Sequence, residues 1–77
     1  MPDALAPILV DARGHRCPVP TLRLRRALER AAPGQIVRLL ADDPLAKIDV
    51  PHFAASEGFR LIAIGEDGTS LVFDVAQ

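Results

Sequence analysis

Leu24, Ala27, Leu28 and Ala31 recur at the i, i+3, i+4, i+7 spacing of one helix face, and both ends of the run are marked in the sequence. Pro18 and Pro20 cannot both lie inside a helix, yet proline is favoured at a helix's first position, so the helix is expected to begin near Pro20. Pro33-Gly34 supplies the stop and the turn. Arg23, Arg26 and Arg30 fall off the apolar face, so one side packs and another is basic. A short helix of this kind needs an apolar surface to lie on, and the segments flanking it offer one.

Ile8 to Val10 is an aliphatic, partly β-branched run ending at Asp11, and Gly14 follows in a loop. Residues 35 to 41, QIVRLLA, read as a largely buried second strand. Asp42-Asp43-Pro44 is a turn with an aspartate able to cap a helix, and LAKID is expected to make one helical turn before Val50. Pro51 marks a fresh start, with PHFAASE as a short helix ended by Gly58 in the left-handed conformation. FRLIAIG and SLVFDV are strand-like runs joined by EDGT, whose Asp67-Gly68 pair is a hairpin signal. Leu71, Phe73 and Val75 alternate with Val72 and Asp74, as in a sheet covered on one face. The order is β-α-β-α-β-β. Two helices cannot cover both faces of a sheet in a chain of 77 residues, so the expected fold is an α/β two-layer sandwich: a four-stranded mixed sheet with two helices on one face, in a single domain spanning 1–77.

At 49% hydrophobic and 25% charged residues the composition is that of a globular domain rather than a disordered segment. A single cysteine forms no internal disulfide, and the N-terminal residues show no basic leader followed by an apolar core, so a reducing cytoplasm is the expected location. IVRLLA and LIAIG fall far short of the roughly 20 residues that span a bilayer, and no membrane association is expected. The net charge of −1 conceals an asymmetry: Arg13, Arg16, Arg23, Arg25, Arg26 and Arg30 lie between residues 12 and 30, where Glu29 is the only acid. Such a bias serves either as a solvated helix face or as a means of steering an acidic protein surface or a nucleic acid.

The one cysteine, Cys17, stands between Arg16 and Pro18 just ahead of the first helix. Unpaired N–H groups at a helix start stabilise a thiolate, and Arg13 and Arg16 add positive charge if the loop folds toward the sulfur. Free cysteine is often only a small buried hydrophobe, but arginine and proline neighbours in a loop do not resemble a core setting. The reading is an exposed, reactive thiol. His15 and His52 are the only histidines, and neither is placed by sequence to act as its base. With no C-x-x-C pair the chain cannot run an intramolecular dithiol cycle. Zinc-type spacing and a glycine-rich phosphate loop are missing, so neither a metal nor a cofactor is expected. Three phenylalanines with no tyrosine or tryptophan make a poor base-stacking platform, so direct tRNA binding is not expected either.

The run ILVDARGHRCPVP resembles the signature of the TusA/SirA family of small sulfur carriers, in which an Asp-x-x-Gly-x-x-Cys-Pro-x-Pro pattern opens the first helix. Asp11, Gly14, Cys17, Pro18 and Pro20 fit it. Pro33-Gly34, Ala41-Asp42-Asp43-Pro44 and Asp49-Val50-Pro51-His52-Phe53 extend the resemblance over almost the whole chain. His15 stands where the family usually carries an apolar residue, commonly leucine.

The resemblance implies the same β-α-β-α-β-β fold. It also implies that Cys17 accepts sulfane sulfur as a persulfide, from a cysteine desulfurase or a rhodanese-type donor, and passes it to a downstream acceptor protein. That route leads to tRNA 2-thiouridine or to another sulfur-trafficking pathway. Arg13, Arg16, Arg23 and Arg26 would then steer acidic partner surfaces. A competing reading is a regulatory or adaptor module that binds a protein or RNA through the basic helix, with no chemistry at Cys17.

Overall fold

The computed structural model describes residues 6–77. Six elements follow one another: β1 (Ile8–Asp11), α1 (Val19–Arg30), β2 (Ile36–Ala41), α2 (Ala46–Glu57), β3 (Arg60–Asp67) and β4 (Ser70–Ala76). The sheet order is β1-β2-β4-β3, with β1 parallel to β2 and the other two pairings antiparallel. Two helices and a four-stranded mixed sheet form the expected α/β fold.

Strand alternation decides what the helices cover. Val37, Leu39 and Ala41 of β2 and Leu71, Phe73 and Val75 of β4 are buried and directly paired across the ladder, Leu39 facing Phe73. The intervening residues occupy the opposite face, where Leu9, Arg38 and Asp74 stand in one row and the Arg38 guanidinium grips the Asp74 carboxylate at 2.8 and 3.1 Å. β3 carries a bulge between Leu61 and Ala63, which the sequence reading of FRLIAIG as a plain strand did not include.

α1 starts at Val19 with Pro20 in its first turn, and its buried stripe is Pro20, Leu24 and Leu28, continued by Ala31. These are the spacings expected from sequence. α2 departs from expectation, because a single helix runs from Ala46 through Glu57 with Pro51 inside it, instead of a turn of LAKID and a new helix at Pro51. A proline in a helix interior forfeits one backbone hydrogen bond and costs about 3 kcal/mol. Ala46, Val50 and Ala54 offset that cost by lying at i, i+4 and i+8 on one buried stripe, which seats both halves of the helix on the same sheet. The far end is capped as expected: Gly58 takes φ 77° and donates to the carbonyls of Ala54 and Ala55. Arg25 of α1 ties the two helices together, pairing with Glu57 at 3.1 Å and lying 5.5 Å from the centre of the Phe53 ring.

Candidate functional site at the β1–α1 loop

Between β1 and α1 the chain crosses the end of the sheet beside the β2–α2 loop, and backbone groups of the first loop are held by carboxylates of the second. The Ala12 N–H continues the ladder to the Leu40 carbonyl at 2.8 Å. The Gly14 N–H then donates to the Asp42 carboxylate at 3.0 and 3.1 Å, and Gly14 holds φ 85°, a conformation that glycine adopts without strain. Next, the Cys17 N–H donates to Asp43 Oδ2 at 2.9 Å, and the other Asp43 oxygen accepts from the Leu45 N–H at 3.0 Å. The Cys17–Pro18 peptide bond is cis. Cys17 itself is part-exposed at the start of α1, with Pro18 ahead of the first helical residue. Asp42-Asp43-Pro44 is therefore a turn, as the sequence suggested, but its carboxylates clamp the cysteine loop.

The electrostatics around the sulfur overturn the thiolate-stabilising surroundings expected from sequence. Burial pushes the Cys17 thiol up to about 11, and a hydrogen bond to the Asp49 carboxylate, with the negative charges of Asp49 and Asp43, pushes the same way. The arginines are engaged elsewhere. Arg13 forms a two-pronged pair with Asp11 at 2.9 and 2.7 Å, and this holds the Asp11 carboxyl down at about 2. Arg23 reaches back to the Asp11 carbonyl at 2.7 Å. Arg16 lies near Asp43 and helps the Cys17 and Leu45 N–H groups hold that carboxyl below its ordinary range. Positive charge in the loop thus neutralises aspartates and leaves the thiol facing carboxylates.

The residues singled out by sequence fall into three groups. Cys17, Gly14 and Pro18 lie together in the clamped loop, and Pro20 seats α1 in the core. Asp11 and Arg13 form a separate pair on the strand end. Arg23 and Arg26 line a groove of about 410 Å³ between α1 and β1, whose walls include Val10, Leu22 and Ala27. His15 is exposed, and its N–H caps the turn to the Ala12 carbonyl at 3.2 Å; His52 lines the groove between the helices. Asp42 and Asp43 are expected from sequence as a turn with a helix-capping aspartate and, with Asp49, as part of the matching motif, and not as partners of the cysteine loop. The available signal was the pair of adjacent carboxylates after β2, at the strand end that a parallel β1–β2 pairing sets beside the β1–α1 loop.

Comparison with known proteins adds a decisive observation. The family model described as Sulfurtransferase TusA matches residues 8–75, nearly all of the chain. The chain belongs to the TusA family. A relative from Archaeoglobus fulgidus is 41% identical over 61 residues, covering 77% of this chain and 79% of its own, and one from Thermotoga maritima is 36% identical over 61 residues, covering 79% and 77%. Both carry the name "Putative sulfur carrier protein". The crystal structure of a SirA-like protein from Desulfitobacterium hafniense superposes with a TM-score of 0.77 at 25% identity, over 88% of this chain and 93% of that one. Membership in the TusA family makes this a sulfur-carrier domain, with sulfur donors and sulfur acceptors as its general class of partner.

Proposed function

We propose that the protein carries sulfane sulfur as a persulfide on Cys17, receiving it from a cysteine desulfurase or a rhodanese-type donor and delivering it to an acceptor protein in a reducing cytoplasm. The observation that carries this reading is the placement of the chain's one sulfur nucleophile, part-exposed, on a loop clamped through the N–H groups of Gly14 and Cys17. A clamped loop presents the sulfur in one geometry to successive partners, and exchange by attack on a sulfur atom needs access more than an enclosing pocket. The route toward tRNA 2-thiouridine is one destination for such sulfur, reached through protein acceptors rather than by direct tRNA contact.

Docking belongs to the helix surface beside the thiol. Arg23 and Arg26 flank an apolar-floored groove, a combination suited to an acidic partner surface with an apolar anchor. Arg16 sits at the loop itself, and Arg13 contributes less because Asp11 neutralises it.

Intact-protein mass spectrometry under non-reducing conditions, after incubation with a desulfurase and cysteine or with a rhodanese and thiosulfate, tests the reading. Wild type is expected to gain the mass of one sulfur atom, reversibly with reductant, and Cys17→Ser to gain none. Loading of the serine variant to the wild-type extent, or of neither protein with either donor, overturns it and leaves the adaptor reading.

A further inference from the structure

We propose that the free edge of β3 is a docking surface for a second copy of this chain: two β3 strands pair antiparallel about a two-fold axis at Ile64, Arg60 of each opposite the partner's Asp67, and join two four-stranded sheets into one of eight strands.

β3 is the outer strand beside β4, and among the described residues nothing pairs with its other side. Of its eight residues only Leu61 is half-buried and the rest are exposed. Ile64 pairs with Phe73 and so shares the face that the helices cover, yet it is 52% exposed while Phe73 is fully buried. The helical layer therefore stops short of β3. Ile62 beside it is 48% exposed. A long edge strand with open N–H and C=O groups and bare isoleucines is a template for another strand. β1, at the other edge, has half the length.

The pattern of the strand selects its occupant. Arg60 and Asp67 are seven residues apart, an odd spacing that in a plain strand would put them on opposite faces. The bulge between Leu61 and Ala63 absorbs one residue, so β3 makes seven ladder positions with β4, and Arg60 opposite Ala76 and Asp67 opposite Ser70 fall on the same face as Asp74. Ile64 is the middle position. A second β3 turned about Ile64 thus sets each Arg60 against the partner's Asp67, Ala63 against the partner's Gly65, and the two Ile64 side chains against each other. Among the described residues neither Arg60 nor Asp67 forms an ion pair, and Arg60 donates only a long hydrogen bond, 3.4 Å, to the Gln77 carbonyl. A parallel copy in register would oppose arginine to arginine and aspartate to aspartate, so charge favours the antiparallel pair. A strand complementary to itself is what a two-fold interface requires.

Asp67 lies at the end of the sheet where β2 leads into Asp42 and Asp43, so antiparallel pairing carries the two Cys17 loops to opposite ends. The basic groove lies against β1, at the edge away from β3. Both stay open in the dimer. A single strand-to-strand contact is smaller than the about 1,200 Å² of a standard complex, so the dimer is reversible on dilution.

Sedimentation of the full chain with reductant present, which excludes a Cys17 disulfide, tests this between about 1 μM and about 1 mM protein. Wild type is expected to pass from monomer to dimer over that range. Ile64→Lys is expected to stay monomeric, and Arg60→Asp and Asp67→Arg are each expected to weaken the dimer by about tenfold, because every pair occurs twice. The double variant Arg60→Asp, Asp67→Arg restores complementarity and is expected to recover the dimer, an outcome that a damaged fold would not give. Circular dichroism checks each variant. A wild type that remains monomeric throughout overturns the inference, as does a dimer indifferent to Ile64→Lys or a double variant no better than the single ones. A monomer whose β3 amides gain hydrogen-exchange protection only when a sulfur-donor protein is added gives the edge to that partner and also overturns it.

Discussion

The two helices meet at the same cysteine and bring opposite things to it. α1 presents the thiol at its N-terminus, buries Pro20, Leu24 and Leu28, and sets Arg23, Arg26 and Arg30 around a groove that it shares with β1. α2 presents nothing reactive, buries only small residues, and supplies Asp49, with the loop before it supplying Asp42 and Asp43. The thiol and the carboxylates that add to the effect of its burial thus come from different elements. A helix N-terminus and neighbouring arginines favour a thiolate in principle, but here each is outweighed locally. Arg13 is paired with Asp11, Arg23 is bonded to the Asp11 carbonyl, and burial with two nearby carboxylates acts directly on the sulfur.

The comparison breaks first at the core contacts that seat α1. Leu28 is fully buried between α1 and the sheet, so Leu28→Ala removes a packed side chain and leaves a cavity. The expected loss is about 2–5 kcal/mol of unfolding free energy, a large share of what a domain of this size has. Urea denaturation checks it: a midpoint that moves by less than the equivalent of about 1 kcal/mol would mean that α1 is not seated by this face.

A change in α2 sharpens the contrast with a smaller effect of opposite sign. Pro51→Ala restores an interior N–H at a position where the helix already continues on both sides. Recovery of the bond and loss of the ring clash favour the folded state by up to about 3 kcal/mol, and the freer unfolded chain takes back about 0.4–1 kcal/mol. The expected outcome is a net stabilisation of about 1–2 kcal/mol with sulfur loading unchanged. Thermal unfolding that shows a lower midpoint would mean that the helix depends on the proline ring for its packing.

The same contrast explains what could be read from sequence. α1 was legible because its buried residues are large, periodic and bounded by Pro20 and Pro33-Gly34. β4 was legible because Leu71, Phe73 and Val75 alternate without interruption. α2 was not legible as one element, since its buried stripe is Ala46, Val50 and Ala54 while Ile48 is 67% exposed and the preceding Leu45 is 55% exposed. Hydrophobicity therefore does not mark the packed face. Pro51 then broke the pattern where packing did not break the helix. Cys17 stood out by its flanking residues, but its surroundings are made by Asp43 and Asp49, brought from 26 and 32 residues away. Only the parallel pairing of β1 with β2, which aligns the ends of both strands, puts the two loops together.

The smallest expected effect lies on the arginine side of the loop and tests whether positive charge there is spent on Asp11. The Arg13 hydrogen bonds lower the Asp11 carboxyl from 3.8 to about 2. A carboxyl depressed in the folded state contributes stability that is present above its unfolded value and lost as the pH falls through its folded value, so the contribution of this pair fades between pH 3.8 and about 2. Both side chains are solvent-exposed, and screening keeps the effect on overall stability slight. The titration itself is the sensitive readout. Carboxyl-carbon NMR is expected to show Asp11 titrating well below an ordinary aspartate in wild type and returning toward 3.8 in Arg13→Ala. The pH dependence of Cys17 alkylation by iodoacetamide should stay that of wild type, because Arg13 is not among the groups acting on the sulfur. A Cys17 midpoint that rises in Arg13→Ala would show that the arginine does reach the thiol, and would erase the division of labour between the two sides of the loop.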